Sequence, residues 1–114
     1  GNLDFDVTVS PTNNSVGDPD GNFTKMFHSS NIGQAGNYAA YNSPEADALI
    51  MAARAESDPN KRNALYEELQ QLLMEDAVWI PVGVPDLQVV TRSCVKGFDL
   101  YANNTQRYKD VYKE

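Results

Sequence analysis

The sequence predicts an α+β fold in which two consecutive amphipathic helices pack on a small sheet. Three features support this class: two segments that each open with a capping residue and a proline, an apolar stripe along each segment, and short runs rich in β-branched residues after the second segment. The chain has 114 residues, a length that suits one modest domain. We therefore expect residues 1–114 to form a single domain or a fragment of a larger protein.

The chain is expected to begin with a strand over residues 3–9. Its apolar side chains alternate with polar ones, as in a half-buried strand: Leu3, Phe5, Val7 and Val9. The segment that follows, from Pro11 to Asn42, is rich in Asn, Gly, Ser and Asp. Polar loops on a rigid scaffold carry binding groups, although a solvated surface loop is an equally weighted alternative.

A short helix is predicted after the run Asp18-Pro19-Asp20. Asp18 or Asp20 caps it, and apolar side chains at helical spacing face inward: Phe23, Met26 and Phe27. The same acidic run does not fit a calcium loop, because that loop needs Gly at its sixth position and an acidic residue at its twelfth. Phe23 and Ser29 stand there instead, so no metal site is predicted.

The first long helix is predicted near residues 44–56. Ser43 is a good N-cap, since its hydroxyl accepts a hydrogen bond from a free N–H of the first turn. Pro44 suits the first helical position, and Glu45 and Asp47 place negative charge at the positive end of the helix dipole. One apolar face runs along the segment: Ala46, Leu49, Ile50 and Ala53.

The second long helix is predicted near residues 59–76. Asp58 caps it, Pro59 begins it, and four leucines form its stripe: Leu65, Leu69, Leu72 and Leu73. Lys61 and Arg62 lie opposite that stripe and are expected to be solvated.

Two strands are predicted after the helices, near residues 78–84 and 87–92, because both runs are rich in β-branched residues. Pro81 lacks a ladder donor, so the first of these strands belongs at an edge or a bulge. Trp79 is expected to be mostly buried against the leucine stripe. The tail over about residues 97–114 holds three tyrosines among polar residues and is interpreted as a segment that packs on another part of a larger protein.

Charge and residue types exclude several functional classes. The net charge is −7 and the isoelectric point is near 4.5, which argues against nucleic acid because phosphates are bound by Lys and Arg. No apolar run approaches the length that spans a bilayer. The single Cys94 is interpreted as a buried structural thiol rather than as a nucleophile paired with the single His28. No phosphate loop or acid–base carboxylate pair is indicated, so we expect neither an enzyme nor a cofactor.

The order of several short motifs resembles the peptide/nickel-binding family (family 5) of extracellular solute-binding proteins, which feed ABC importers. Each motif is weak alone, and their order and spacing are fairly specific. They are Asp18-Pro19-Asp20 with Phe23, then Tyr41, Pro44 and Glu45, then Asp47 and Leu49, then the run Lys61 to Tyr66, and finally Ile80-Pro81-Val82.

The resemblance implies a portion of the C-terminal lobe of a periplasmic-binding-protein-like fold, in which two lobes close on a ligand by a hinge. The parent protein would be extracytoplasmic, in the periplasm or at the cell surface, and either lipid-anchored or secreted. Its partners would be a small polar solute and the permease of an ABC transporter. The alternative from the residues alone is a freestanding acidic α+β interaction domain with no small-molecule ligand.

The resemblance also implies a ligand-binding loop over Thr12–Val16. Peptide-binding members carry a Gly-Trp pair and, three residues after the Trp, an Asp that pairs with the ligand's α-ammonium. Those three positions hold Pro11, Thr12 and Ser15. A peptide held by a free amine is therefore less expected than a sugar, a capped peptide or another polar solute. The predicted ligand-binding residues are Thr12, Asn13, Asn14, Ser15 and Asp18.

Overall fold

A computed structural model describes residues 6–9, 17–33, 36–83, 86, 88–101 and 106–114. Within these ranges the chain forms helices and one two-stranded antiparallel sheet, so the predicted α+β class is confirmed. The elements in chain order are α1 (Pro19–Phe27), a short 3₁₀ turn (Ser29–Asn31), α2 (Pro44–Ala55), α3 (Pro59–Glu75), β1 (Val95–Lys96) and β2 (Tyr112–Lys113).

All three predicted helices are confirmed. The two long helices begin with the cap and proline identified in the sequence, and α1 begins within the run Asp18-Pro19-Asp20 rather than after it, with Asp18 as its cap. Asp18 caps α1 by accepting from the N–H of Asp20. Ser43 caps α2 by accepting from the N–H of Ala46. Asp58 caps α3 by accepting from the N–H groups of Asn60 and Lys61. The two long helices end one residue earlier than predicted, at Ala55 and Glu75.

The core lies where α2 packs against α3, and α1 covers its side. The buried apolar residues come from all three helices: Phe27, Ala46, Ile50, Ala53, Tyr66, Leu69 and Leu73. On α2, the small side chains of Ala46 and Ala53 share one face with Ile50. Complete burial of Ile50 and of Leu69 is worth about 1.5–3 kcal/mol for each side chain. The predicted stripes therefore face the core, with Tyr66 added to that of α3.

The connection between α1 and α2 is held by a buried amide that the sequence did not point to. Asn37 is fully buried. Its side-chain N–H groups donate to the carbonyls of His28 (3.2 Å) and Tyr41 (2.8 Å), and its Oδ1 accepts from the N–H of Tyr41 (2.9 Å). This network stabilises the loop because a buried amide needs hydrogen-bond partners.

The strands predicted over residues 3–9, 78–84 and 87–92 are wrong wherever the structure describes them. Residues 6–9, 78–83 and 88–92 belong to no strand, and the remaining residues of those predictions lie outside the described ranges. Val78 packs partly against the helical core, but other apolar side chains of these runs are exposed, for example Val82 at 88% and Val90 at 96%. A strand-like sequence pattern indicates that a segment can form a strand. It does not specify a neighbouring strand, and a strand is stabilised only by pairing with such a neighbour.

The observed sheet instead joins the residues just before the tail to the end of the tail. Val95 pairs with Lys113 and Lys96 pairs with Tyr112 in antiparallel register. Strands of two residues carry no detectable alternation, so no sequence pattern predicts this sheet. Cys94, which directly precedes β1, is half-buried rather than enclosed.

Trp79 is more exposed than predicted, with 41% of its surface accessible. Its ring lies 5.7 Å from that of Phe27 on α1. It also borders an open apolar cavity of about 200 Å³, lined by Phe23, Phe27, Gln70, Leu73, Met74, Trp79 and Pro81. The segment after α3 is not held in a sheet, so Trp79 lies beside Phe27 and lines the same cavity as Leu73 without being covered.

Candidate functional site

The candidate site is the region where the predicted ligand-binding loop meets α1. Thr12, Asn13, Asn14 and Ser15 lie outside the described residues. Asp18 is described and is the N-cap of α1. Gly17, directly before it, has a φ of +79°, a left-handed conformation that glycine adopts without a steric penalty. The chain therefore turns sharply as it enters the helix.

Asp18 is paired with Arg62, which lies 44 positions later in α3. The guanidinium donates one hydrogen bond to Asp18 Oδ2 (3.2 Å) and another to Oδ1 (2.8 Å). Oδ1 also accepts from the N–H of Asp20 at 2.9 Å. This bidentate geometry matches the planar fork of arginine to the two oxygens of a carboxylate.

Arg62 also contacts α2 and its own helix, so the prediction that it is a solvated residue is wrong. Its Nε donates to the Ala53 carbonyl at 3.0 Å, and a terminal N–H donates to the Tyr66 hydroxyl at 3.2 Å. Its guanidinium lies 5.3 Å from the centre of the Tyr66 ring. Ala53 is in the last turn of α2, where carbonyls lack helical partners. Arg62 thus joins all three helices, whereas its neighbour Lys61 is exposed.

Asp18 and Arg62 each stabilise the charged form of the other. The hydrogen bonds from Arg62 hold the pKa of Asp18 below its ordinary value, and the N–H of Asp20 adds to the effect. The bond to Asp18 in turn raises the pKa of Arg62. The carboxylate of Asp18 is therefore ionised at neutral pH and opposed by a cation, so a ligand ammonium at this point would compete with Arg62.

The sequence carried only part of this signal. Arg62 and Tyr66 are four residues apart in a predicted helix, so their contact could have been anticipated. The pairing of Arg62 with Asp18 could not, because it depends on how α1 packs on α3. Asp18 is thus the one predicted ligand-binding residue that the structure describes. Its carboxylate accepts hydrogen bonds from Arg62.

Two further observations concern metal binding and membrane spanning by the described residues. No group of three His, Cys, Asp or Glu side chains among them could hold a metal ion. No helix in the described ranges is both long and apolar enough to cross a membrane.

Comparison with known proteins finds relatives that are named for peptide binding. It is 33% identical over 95 residues to the "Probable di/tripeptide-binding protein 5" of Pseudomonas aeruginosa. The aligned region covers 83% of this chain and 18% of that protein. It is 40% identical over 83 residues to "Di/tripeptide-binding protein 4" of the same organism, covering 72% and 15%. It is 28% identical over 98 residues to the "Probable D,D-dipeptide-binding periplasmic protein DdpA" of Escherichia coli, covering 86% and 19%.

These similarities confirm the resemblance found in the sequence. The chain belongs to the peptide/nickel-binding family of solute-binding proteins of ABC importers. It spans less than a fifth of the length of the curated relatives named above. No protein-family profile matches the chain.

Proposed function

We propose that this chain is part of a two-lobed extracytoplasmic protein that captures a peptide or another small polar solute for an ABC importer. The observation that carries the proposal is the similarity over 83% of the chain to a protein named for di/tripeptide binding. The named relatives are binding proteins rather than enzymes, which favours capture over catalysis. The periplasmic relative favours an extracytoplasmic location.

We assign the chain to the later half of the C-terminal lobe, with the tail over about residues 97–114 packing on other parts of the protein. The exposed apolar side chains of the extended segments support this assignment. Examples are Ile80 and Val82 after α3, with 76% and 88% of their surfaces accessible. In this arrangement the permease of the importer is the macromolecular partner of the whole protein.

The ligand-facing element in this proposal is the loop Thr12–Val16. Its support from the structure is the rigid anchor at its end, where Gly17 and Asp18 lead into a helix fixed to the rest of the bundle by Arg62. Asn13, Asn14 and Ser15 supply neutral hydrogen-bonding groups, since amides and hydroxyls can both donate and accept. Asp18 lies at the edge of the same element.

The relatives favour a peptide over a sugar, and Ser15 specifies how such a peptide is held. With no carboxylate at Ser15, affinity is expected to depend little on whether the peptide's amine is charged. An N-acetylated peptide should therefore bind about as well as the free one.

The test is calorimetric titration of the full-length protein with dialanine, N-acetyl-dialanine, trialanine and maltotriose. Replacing Asn13 and Asn14 together with Ala should weaken binding of the best panel member by about 1–3 kcal/mol, because polar groups on the solute lose their partners. Asn63→Ala, at an exposed position of α3, is the matched control and should leave affinity unchanged.

Three results would contradict parts of this proposal. Unchanged affinity in the Asn13→Ala, Asn14→Ala double variant would remove this loop from the site. If dialanine bound and N-acetyl-dialanine did not, the proposal that neutral hydrogen bonds hold the peptide would be contradicted. Failure of the protein to bind any panel member would favour the alternative of an acidic interaction domain without a small-molecule ligand.

A further inference from the structure

We infer that the junction between α1 and α2 responds to pH through a single nitrogen atom. Neutral His28 caps the 3₁₀ turn that follows α1, whereas protonated His28 releases this cap and forms an ion pair with Asp47 on α2. The inference concerns a device built into the fold. It does not depend on which solute the protein binds, so its failure would leave the proposed function unchanged.

In its neutral form, His28 holds the 3₁₀ turn through both its ring and its backbone. Its Nδ1 accepts a hydrogen bond from the N–H of Ser30 at 3.1 Å, which makes it the N-cap of the turn. The carbonyl of His28 accepts from the N–H of Asn31 at 3.0 Å. An imidazole nitrogen accepts only while it carries a lone pair, so the contact with Ser30 assigns the proton of the neutral ring to Nε2.

The carboxylate of Asp47 lies beside the same ring nitrogen. Its Oδ1 is 3.7 Å from His28 Nδ1, and the two side chains are 19% and 23% accessible. Asp47 belongs to the first turn of α2, where it already accepts from the N–H (2.9 Å) and the hydroxyl of Ser29. A proton on Nδ1 would place positive charge next to this carboxylate, and a partly buried pair is screened less by salt than an exposed one.

The two roles of Nδ1 exclude each other. With a lone pair it can accept from the Ser30 N–H but cannot donate to Asp47, and with a proton it can donate but cannot accept. The hydroxyl of Ser30, 2.9 Å from Nδ1, suits both states, because it can donate to the neutral ring and accept from the charged one. Protonation therefore replaces a cap within the turn by a contact between the end of α1 and the start of α2.

The other charged groups on the neighbouring elements do not share this position. Among the described residues, Asp47 is the charged side chain at ion-pair distance from the ring. Lys25 in the last turn of α1 and Glu45 in the first turn of α2 are both exposed. In the loop between these helices, the Tyr41 hydroxyl is bonded to Asp76 at the end of α3. Because histidine changes charge between about pH 5 and 8, the exchange of partners is expected in that range.

The test is nuclear magnetic resonance of the full-length protein with ¹⁵N-labelled serine, recorded between about pH 5 and 8. Two amides report the two contacts separately, since the Ser29 N–H donates to Asp47 and the Ser30 N–H donates to His28. Ser29→Ala and Ser30→Ala identify the resonances. On acidification the Ser30 amide proton should shift upfield, because it loses its acceptor. The Ser29 amide should shift with the same midpoint, because Asp47 gains a second partner.

Three substitutions separate the contributions. His28→Asn keeps a side chain that caps well but cannot become a cation, so neither amide should respond to pH in this range. Asp47→Asn keeps an acceptor for Ser29 but removes the charge, so the Ser29 response should shrink while the Ser30 response remains. Glu45→Gln is the matched control, since it removes a carboxylate from the same turn of α2, and it should leave both responses as in the wild type.

Three results would overturn the inference. A Ser30 amide that did not shift between about pH 5 and 8 would exclude release of the cap. A Ser29 response of equal size in the wild type and in Asp47→Asn would exclude the ion pair. If Glu45→Gln reduced the Ser29 response as strongly as Asp47→Asn, the effect would come from the general charge of α2 and not from this contact. The spectra are recorded without solute, so none of these results bears on the proposed function.

Discussion

The hydroxyl of Tyr41 donates a hydrogen bond of 2.6 Å to the Asp76 carboxylate, which joins the loop before α2 to the end of α3. Burial raises the pKa of Tyr41, and the bond to Asp76 raises it further. The backbone of the same tyrosine is bonded to the buried Asn37. Tyr41 therefore connects the α1–α2 loop to the far end of the core.

Tyr41→Phe should lower the free energy of unfolding by about 0.5–1 kcal/mol, the low end for a hydrogen bond whose acceptor is exposed. The matched control is Tyr38→Phe, since Tyr38 lies in the same loop with 44% of its surface accessible. Urea unfolding of the full-length protein checks both variants. Equal stability of the two would show that the contact with Asp76 contributes nothing.

Leu69→Ala should destabilise the protein by about 2–5 kcal/mol, because it removes a fully enclosed side chain and leaves a cavity. Met74→Ala on the same helix is the control, since 60% of Met74 is accessible. Its effect should be within about 0.5 kcal/mol. If thermal unfolding showed similar losses for the two variants, the assignment of the core to the α2–α3 interface would be contradicted.

The pair Asp18–Arg62 should make stability sensitive to acid. The pKa of Asp18 is lower in the folded protein than its ordinary value of 3.8. Its contribution to stability is therefore present above that ordinary value and is lost as the pH falls through the folded value. We expect the urea midpoint of the wild type to exceed that of Asp18→Asn at neutral pH, and the two midpoints to converge on acidification.

Arg62→Gln provides the control for this acid response. Without its guanidinium partner, Asp18 loses the main cause of its lowered pKa, so the variant should show a weaker decline with acid. A difference between wild type and Asp18→Asn that stayed constant down to low pH would exclude an electrostatic origin.

The helices and the family could be predicted from the sequence alone. Ser43 with Pro44 and Asp58 with Pro59 define where α2 and α3 begin, because a cap and a proline act within a single helical turn. The apolar spacing then identified which faces are buried, and the order of motifs identified the solute-binding family. These properties depend on residues that are close in the chain.

Contacts between distant segments depend on how the helices pack and could not be read from the sequence. Arg62 has a helical position opposite the leucine stripe that looks solvated, and its bond to Asp18 joins residues 44 positions apart in the chain. Similarly, the β-branched run around Ile80 and Val82 forms no strand in the described part of the chain, since a strand requires a partner that its own sequence cannot specify. Local sequence encodes conformational preference, whereas pairing and clustering of side chains depend on which surfaces meet.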